Sequence, residues 1–88
     1  MNVTAITIEV PVYSPNEGFK YNWTKGFDIR TNIEGGQIKI VMNKEGLASL
    51  ANHLLNLAQD GVPSGCHLHL DEHNSLEEGS IDLIIEKA

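Results

Sequence analysis

The sequence predicts an α+β fold of two layers, in which one antiparallel sheet of about five strands carries one amphipathic helix on one face. Three observations predict it. Segments of alternating hydrophobicity lie near both ends of the 88-residue chain, a Gly-Gly turn separates two more such segments, and leucine and alanine recur at helical spacing in between. The predicted element order is β-β-β-α-β-β. A chain of this length has room for one domain, which we assign to residues 1–88.

The first alternating segment, Val3 to Pro11, predicts a strand with one buried side. Pro11 lacks an amide hydrogen, so it ends the strand or lies on an unpaired edge. Residues 12–26 carry Pro15, Asn16, Gly18 and Gly26 among aromatic residues, which predicts a long loop. Tyr21 and Trp23 of this loop form either a lid over the core or anchors at an interface. We favour the lid.

A β-hairpin is predicted from Phe27 to Met42, because two alternating segments flank Gly35-Gly36. Asn43 then offers its side-chain oxygen as the N-cap of an amphipathic helix, predicted from Lys44 to Gln59. Spacings of three and four predict a core-facing stripe of Leu47, Leu50, Ala51, Leu54, Leu57 and Ala58. His53 flanks that stripe, and we expect it at the boundary of the core.

The stretch from Gly65 to Lys87 contains two further alternating segments, which we expect to pair as antiparallel strands. In the first segment, Leu68 and Leu70 share one face, where Cys66 is expected as a small buried residue. In the second segment, from Ser80 to Glu86, the residues that share the apolar face are Ile81, Leu83 and Ile85. The polar residues predicted on the face away from the helix are His67, His69, Asp71, Asp82 and Glu86.

Composition and charge exclude several classes of function. Hydrophobic residues make up 41% of the chain and charged residues 20%, as in ordinary globular proteins. Six Lys and Arg stand against twelve Asp and Glu, and the net charge of −6 argues against nucleic acid and favours a basic protein partner. No apolar run approaches the roughly 18 residues of a membrane span, and the N-terminus lacks a secretory pattern. We therefore expect a cytoplasmic protein without membrane contact.

A metal site is one interpretation of the polar strand face. His67 and His69 lie on the same side of a strand, and Asp71, His73 or Asp82 could supply further ligands. Two histidines at a spacing of two fix no geometry, however, and a polar strand face also carries such residues for solubility. We favour a solvated or interface face and expect no cofactor.

Catalysis has less support. His67 or His69 beside Asp71 or Asp82 could serve as a general base oriented by a carboxylate. The sequence has no glycine-rich phosphate loop and no serine or cysteine in an activating context, and a domain of this size has little depth for a pocket. We predict a protein that is not an enzyme.

Six carboxylates lie in the same stretch, and Lys87 is the one Lys or Arg residue there. Such a surface speeds the capture of a basic partner and adds specificity through charge complementarity. An ordinary solvated acidic loop has the same composition, so both interpretations stay open. The six are Asp71, Glu72, Glu77, Glu78, Asp82 and Glu86.

Three segments of the second half carry a family resemblance. They are NKEGLASLANHLLNLA with Gly46-Leu47 near its start, GCHLHLD, and LEEGSIDLIIEK with Gly79-Ser80 before the last strand, together spanning Asn43 to Lys87. In these segments the chain resembles immunity protein 32, a family of small bacterial immunity proteins from polymorphic toxin systems. The resemblance implies a non-enzymatic cytoplasmic protein that binds and neutralises a cognate toxin. Immunity proteins against nucleases often cover a basic cleft with an acidic surface, so a basic nuclease domain is compatible as the partner.

We predict stoichiometric contact with this partner through the acidic and histidine-bearing surface. The predicted contact residues are His67, His69, Asp71, Glu77, Glu78 and Asp82, with Trp23 and Tyr21 as anchors from the long loop. Two alternatives stand beside this prediction. One is a small metal-binding domain built on His67 and His69, and the other is a homodimer that meets through a sheet face made partly apolar by Val41 and Ile84.

Overall fold

The chain forms one helix and four short strands, as described by a computed structural model for residues 2–88. The elements are β1 (Ile29–Glu34), β2 (Gln37–Met42), α1 (Lys44–Leu57), β3 (His67–Leu70) and β4 (Leu83–Glu86). β1 pairs with β2 and β3 pairs with β4, both antiparallel, in two separate two-stranded sheets. The α+β class and both hairpins are confirmed. The single sheet of five strands is wrong.

The predicted N-terminal strand is also wrong, because residues 3–11 are assigned to no strand. Two carbonyls of this segment accept hydrogen bonds from side-chain amides, at 2.8 Å from Asn52 Nδ2 to Glu9 O and at 2.9 Å from Gln59 Nε2 to Pro11 O. A strand needs the edge of another strand, and no described strand pairs with this segment. Two of its apolar side chains therefore remain in solvent, with Val3 86% and Ile6 81% exposed, whereas Ile8 and Val10 are partly buried.

The β1–β2 hairpin is half inside the fold and half outside. Ile29 at its base is fully buried and pairs with Met42, whereas Ile33 and Ile38 near the tip are exposed. The turn uses Gly35 and Gly36, whose φ angles of 58° and 78° lie in the left-handed region that suits a two-residue hairpin turn.

The two hairpins are joined through the edge of β1. The Glu77 amide donates to Ile29 O at 2.9 Å, and the Ile81 amide donates to Thr31 O at 3.2 Å. The Thr31 hydroxyl in turn donates to Ile81 O. The chain between β3 and β4 thus runs along β1 with isolated hydrogen bonds, too few to merge the two sheets.

Helix α1 begins as the sequence predicts. Asn43 Oδ1 accepts the Gly46 amide at 2.8 Å, which is an N-cap contact. Gly46 lies so close to the start of β1 that a Cβ atom there would stand 2.7 Å from Asp28 O. The helix ends at Leu57, two residues before the predicted end.

The buried face of α1 differs from the predicted apolar stripe. Leu50 and Leu57 are buried as predicted, but Leu47 and Leu54 are exposed. Polar side chains take their place in the interior, because α1 packs against loops whose backbone groups need partners. Ser49 Oγ accepts the Thr24 amide at 2.8 Å, and Asn56 Nδ2 donates to Lys20 O at 3.0 Å. The buried polar residues of α1 are Ser49, Asn52, His53 and Asn56.

The hydrophobic core consists of two small clusters that flank this polar helix face. One contains Ile29, Leu50, Leu70 and Leu76, and the other contains Leu57, Val62 and Leu68. Aromatic residues of the long loop pack on both, Trp23 on the first and Phe19 on the second. Cys66 is only partly buried beside the second cluster. The core is therefore completed by loop side chains and not by a third strand layer.

Candidate interaction surface

The β3–β4 hairpin places its polar residues on one open face, as the alternation predicts. Leu68 and Leu70 are buried, whereas His67 and His69 are exposed. In the register His67 lies opposite Glu86, and His69 lies opposite Ile84, which is also exposed. We call residues 67–86 the acidic hairpin.

His69 is the centre of the acidic hairpin. Its Nε2 atom lies 3.0 Å from Asp82 Oδ2 and 4.0 Å from Asp71 Oδ2. One ligand-type atom of each of these three residues lies within 4.8 Å of the other two. His67 is outside this group, and its Nδ1 lies 3.3 Å from Gly65 O. The geometry therefore pairs His69 with two carboxylates and not with His67, its predicted metal-binding companion.

The loop after β3 holds Asp71 in place. Asp71 Oδ1 accepts the His73 amide at 2.8 Å, and the Asp71 amide donates to Asn74 Oδ1 at 3.0 Å. Asn74 Nδ2 reaches back to His69 O at 3.0 Å. Leu76, in the middle of the connection to β4, is buried in the core and anchors it there. These short-range side-chain to backbone bonds are typical of Asx turns, and they leave Asp71 Oδ2 directed toward His69.

The carboxylates of the acidic hairpin have no Lys or Arg partner among the described residues. The Lys and Arg ion pairs lie elsewhere, joining Lys20 to Glu17, Arg30 to Asp28 and Lys39 to Glu34. Lys87, the one cation that the sequence places beside the acidic stretch, turns away. Its Nζ donates to Gln59 O at 2.7 Å and to Val62 O at 2.8 Å, and so ties the chain after β4 to the segment after α1.

Glu77 and Glu78 occupy different surroundings from His69. Both side chains are exposed. Glu78 lines a shallow groove between the two hairpins that also includes Arg30 and Lys39, without forming an ion pair with either. These basic neighbours come from the first half of the chain, so no local sequence pattern marks their approach to Glu78.

Tyr21 and Trp23 lie beside the acidic hairpin. Both line one pocket with Leu68, His69, Leu70 and Asn74. Trp23 is half-buried, stacks on Phe27 with ring centroids 4.4 Å apart, and packs on the core, whereas Tyr21 is exposed. The structure thus brings the two loop aromatics and His69 together around one concave surface.

His53 differs most from its expected place. It is fully buried, and the rings of Tyr21 and Trp23 pack edge-on against it at centroid distances of 5.1 Å and 4.4 Å. Neither ring nitrogen has a hydrogen-bond partner, and burial lowers the pKa of the imidazole because it disfavours the charged form. The sequence signal for this burial was the aromatic loop, whose lid covers the helix face that bears His53.

The comparison with known families bears on the half of the chain that contains this surface. The family model of immunity protein 32 (Imm32) matches residues 37–88, which are 52 of the 88 residues. The chain belongs to the immunity protein 32 family. The match confirms the resemblance seen in the sequence, and it extends from β2 through α1 to the whole acidic hairpin.

Membership in this family implies toxin neutralisation by a protein of a typically non-enzymatic kind. No curated protein and no solved structure matches the chain. Among residues 2–88, no helix has the length and apolar character that crossing a membrane requires.

Proposed function

We propose that this Imm32 protein neutralises its toxin by stoichiometric binding through the acidic hairpin, against a basic surface such as the nucleic-acid cleft of a nuclease. The observation that carries the proposal is the set of carboxylates left without Lys or Arg partners, while the ion pairs of these cations lie elsewhere in the described chain. Uncompensated charges of one sign attract an oppositely charged partner over a distance of about 10 Å in salt solutions near 0.1 M.

The pocket beside the acidic hairpin supports the same proposal. Tyr21 and Trp23 provide large aromatic surfaces next to His69, and aromatic residues near a charged rim are common anchors of protein interfaces. In this arrangement the carboxylates guide the encounter, and the aromatic side chains contribute to slow dissociation. His69 and Asp71 connect the two parts of the surface.

The test is capture of the toxin from a lysate of the producing organism, followed by association kinetics with the purified partner. Neutralising two acidic-hairpin charges with Glu77→Gln and Glu78→Gln should slow association about tenfold at low salt, and the effect should shrink at high salt. The matched control, Glu9→Gln with Asp60→Asn, changes net charge equally at exposed sites outside the hairpin. Equal association rates for both double variants would contradict the proposal.

A second candidate function is divalent-metal binding by His69, Asp71 and Asp82, favoured by the mutual approach of their ligand atoms within 4.8 Å. One imidazole nitrogen and two carboxylate oxygens suit zinc, with open positions for water or a partner ligand. Calorimetric titration with zinc should show saturable binding that Asp82→Asn weakens and that His67→Ala, outside the group, leaves unchanged. An absence of saturable heat in the wild-type chain would remove this candidate.

A further inference from the structure

The folded chain exposes more surface than a compact monomer of its mass. Its solvent-accessible surface is 6394 Å², whereas a compact monomeric protein of 9.7 kDa exposes about 5,100 Å². Its radius of gyration is 14.3 Å, against about 12 Å for a compact domain of this length. The surplus of about 1,300 Å² exceeds the roughly 800 Å² that each partner buries in a standard protein interface.

Much of the exposed aliphatic surface lies in one region. Val3 and Ile6 of the N-terminal segment are exposed. Leu47, Leu54 and Leu55 of α1 are exposed too. Leu54 and Leu55 follow Leu47 by seven and eight residues, so the three leucines lie on one side of the helix. A groove lined by Ile6, Ile8, Trp23, Leu47 and Ala51 connects the two elements. We call Leu47, Ala51, Leu54 and Leu55 the outer face of α1.

The N-terminal segment has the sequence pattern of a strand but pairs with no described strand. Residues 3–10 alternate and are rich in β-branched side chains. In the described structure the backbone groups of residues 3–8 make no hydrogen bond to another backbone group. Exposed backbone with this pattern pairs readily with a strand from another molecule.

The lack of charge in this region favours a second copy of the chain over the toxin as the binding partner. Residues 2–8 carry no charged side chain, and neither do the four residues of the outer face of α1. A neutral apolar face exerts no electrostatic attraction on a basic toxin, whereas lasting homodimer interfaces are the more hydrophobic class. A twofold axis also allows one segment to pair antiparallel with its own copy, so a single sequence supplies both strands.

We infer that the chain is a homodimer whose copies meet through residues 3–8 and the outer face of α1, with the two N-terminal segments paired as antiparallel strands. This interface differs from the Val41 and Ile84 surface suggested by the sequence pattern. It also leaves the carboxylates of the acidic hairpin outside the contact. Trp23 lines both the groove of this interface and the pocket beside the acidic hairpin, so the two surfaces adjoin, but the dimer itself can be tested without a toxin.

Sedimentation equilibrium of the purified full chain, from low micromolar to submillimolar concentration, tests the inference. The expected result is a reversible species of twice the 9.7 kDa chain mass. Ile6→Lys and Leu55→Lys should each raise the dimer dissociation constant at least tenfold, since symmetry buries each lysine twice. Both side chains are exposed in the single chain, so these variants should keep the wild-type circular dichroism spectrum.

The matched control is Ile38→Lys at the tip of the β1–β2 hairpin, where the side chain is 71% exposed. It should leave the dissociation constant unchanged. A wild-type chain that stays monomeric throughout would overturn the dimer, and loss of toxin binding by Ile6→Lys in that case would assign the face to the toxin. A dimer that Ile38→Lys dissociates and Ile6→Lys does not would place the interface elsewhere and overturn the inference.

Hydrogen exchange separates strand pairing from simple apolar contact. The amides of residues 3–8 should exchange more slowly at concentrations where the dimer forms than at concentrations where it dissociates. Unprotected amides in a confirmed dimer would overturn the strand pairing.

Discussion

Residues 3–10 and β3 show the same alternation in sequence and opposite outcomes in the fold. β3 pairs with β4, and its Leu68 is 2% exposed, whereas the N-terminal segment pairs with no described strand and leaves Ile6 in solvent. The difference is the availability of a partner. β4 follows β3 after a 12-residue connection held by Asp71 and Asn74, while the edge of β1 is already occupied by Glu77 and Ile81. Alternation predicts the capacity to form a strand, and the partner decides whether one forms.

The largest expected effect on stability comes from truncating Leu68, the buried side chain of β3. Leu68→Ala should lower the free energy of unfolding by about 2–5 kcal/mol, because it leaves a cavity beside Leu57 and Val62. Ile6→Ala, measured where the chain is monomeric, should change it by less than about 0.5 kcal/mol. Urea unfolding measures both. A cost at Ile6 that equals the cost at Leu68 would show that the N-terminal segment is packed in the monomer.

A second substitution tests how closely α1 must pack against the start of β1. Gly46→Ala should destabilise by about 1–3 kcal/mol, because its Cβ would meet the Asp28 carbonyl at 2.7 Å and α1 would have to shift from β1. Gly61→Ala is the control, since its Cβ would meet only Tyr13 at 4.0 Å. Chemical denaturation compares the two. If Gly46→Ala instead stabilises the protein through its better helix propensity, the close contact yields easily.

His53, on the polar face of α1, predicts that the stability of the fold depends on pH. Burial lowers the pKa of His53, so below about pH 6.5, its ordinary pKa, the unfolded chain takes up a proton that the folded chain resists. Stability should therefore be complete above that pH and fall as the pH decreases, by at most about 1.4 kcal/mol per pH unit for this one proton.

Urea unfolding at about pH 7 and about pH 5 measures the loss in the wild-type chain, in His53→Leu and in the exposed control His73→Ala. His53→Leu should lose less stability on acidification than the wild type, whereas His73→Ala should retain the wild-type dependence. The same loss in wild type and His53→Leu would assign the pH dependence to other groups.

The smallest expected effect concerns the link between the two hairpins. Thr31→Val removes the hydroxyl that donates to Ile81 O at a buried position and should destabilise by about 1 kcal/mol. Thr4→Val in the unpaired segment is exposed and should be nearly neutral at concentrations where the chain is monomeric. Thermal unfolding of the two variants side by side would show whether this bond matters. Identical midpoints would mean that the backbone bonds of Ile29 and Thr31 alone hold the hairpins together.

The elements that the sequence predicted correctly have partners close by in the chain. Gly35-Gly36 joins β1 to β2, and the Asn43 cap starts α1 where the side-chain oxygen accepts the Gly46 amide. The error in the helix face has a different source. Apolar periodicity assumes an apolar partner, but α1 docks on loop backbone, which Ser49 and Asn56 can satisfy and leucine cannot.

The side-chain positions on the acidic hairpin, like the fold, were predictable in part. Alternation placed His67 and His69 on the open face, and the pairing of β3 with β4 brought Asp82 within 3.0 Å of His69. The direction of Lys87 was not predictable, because a long side chain follows its acceptors, here Gln59 O and Val62 O. The burial of His53 depends on a loop whose conformation no local pattern specifies.

The match to the Imm32 family starts at Gln37, the first residue of β2, and so divides the β1–β2 hairpin. The boundary of shared sequence is therefore not a boundary of folding. A chain trimmed to residues 37–88 would leave β2 without its ladder and the interior without Ile29, its fully buried isoleucine. The first part of the chain, which the family model does not match, thus supplies a strand and a core side chain on which the matched part depends.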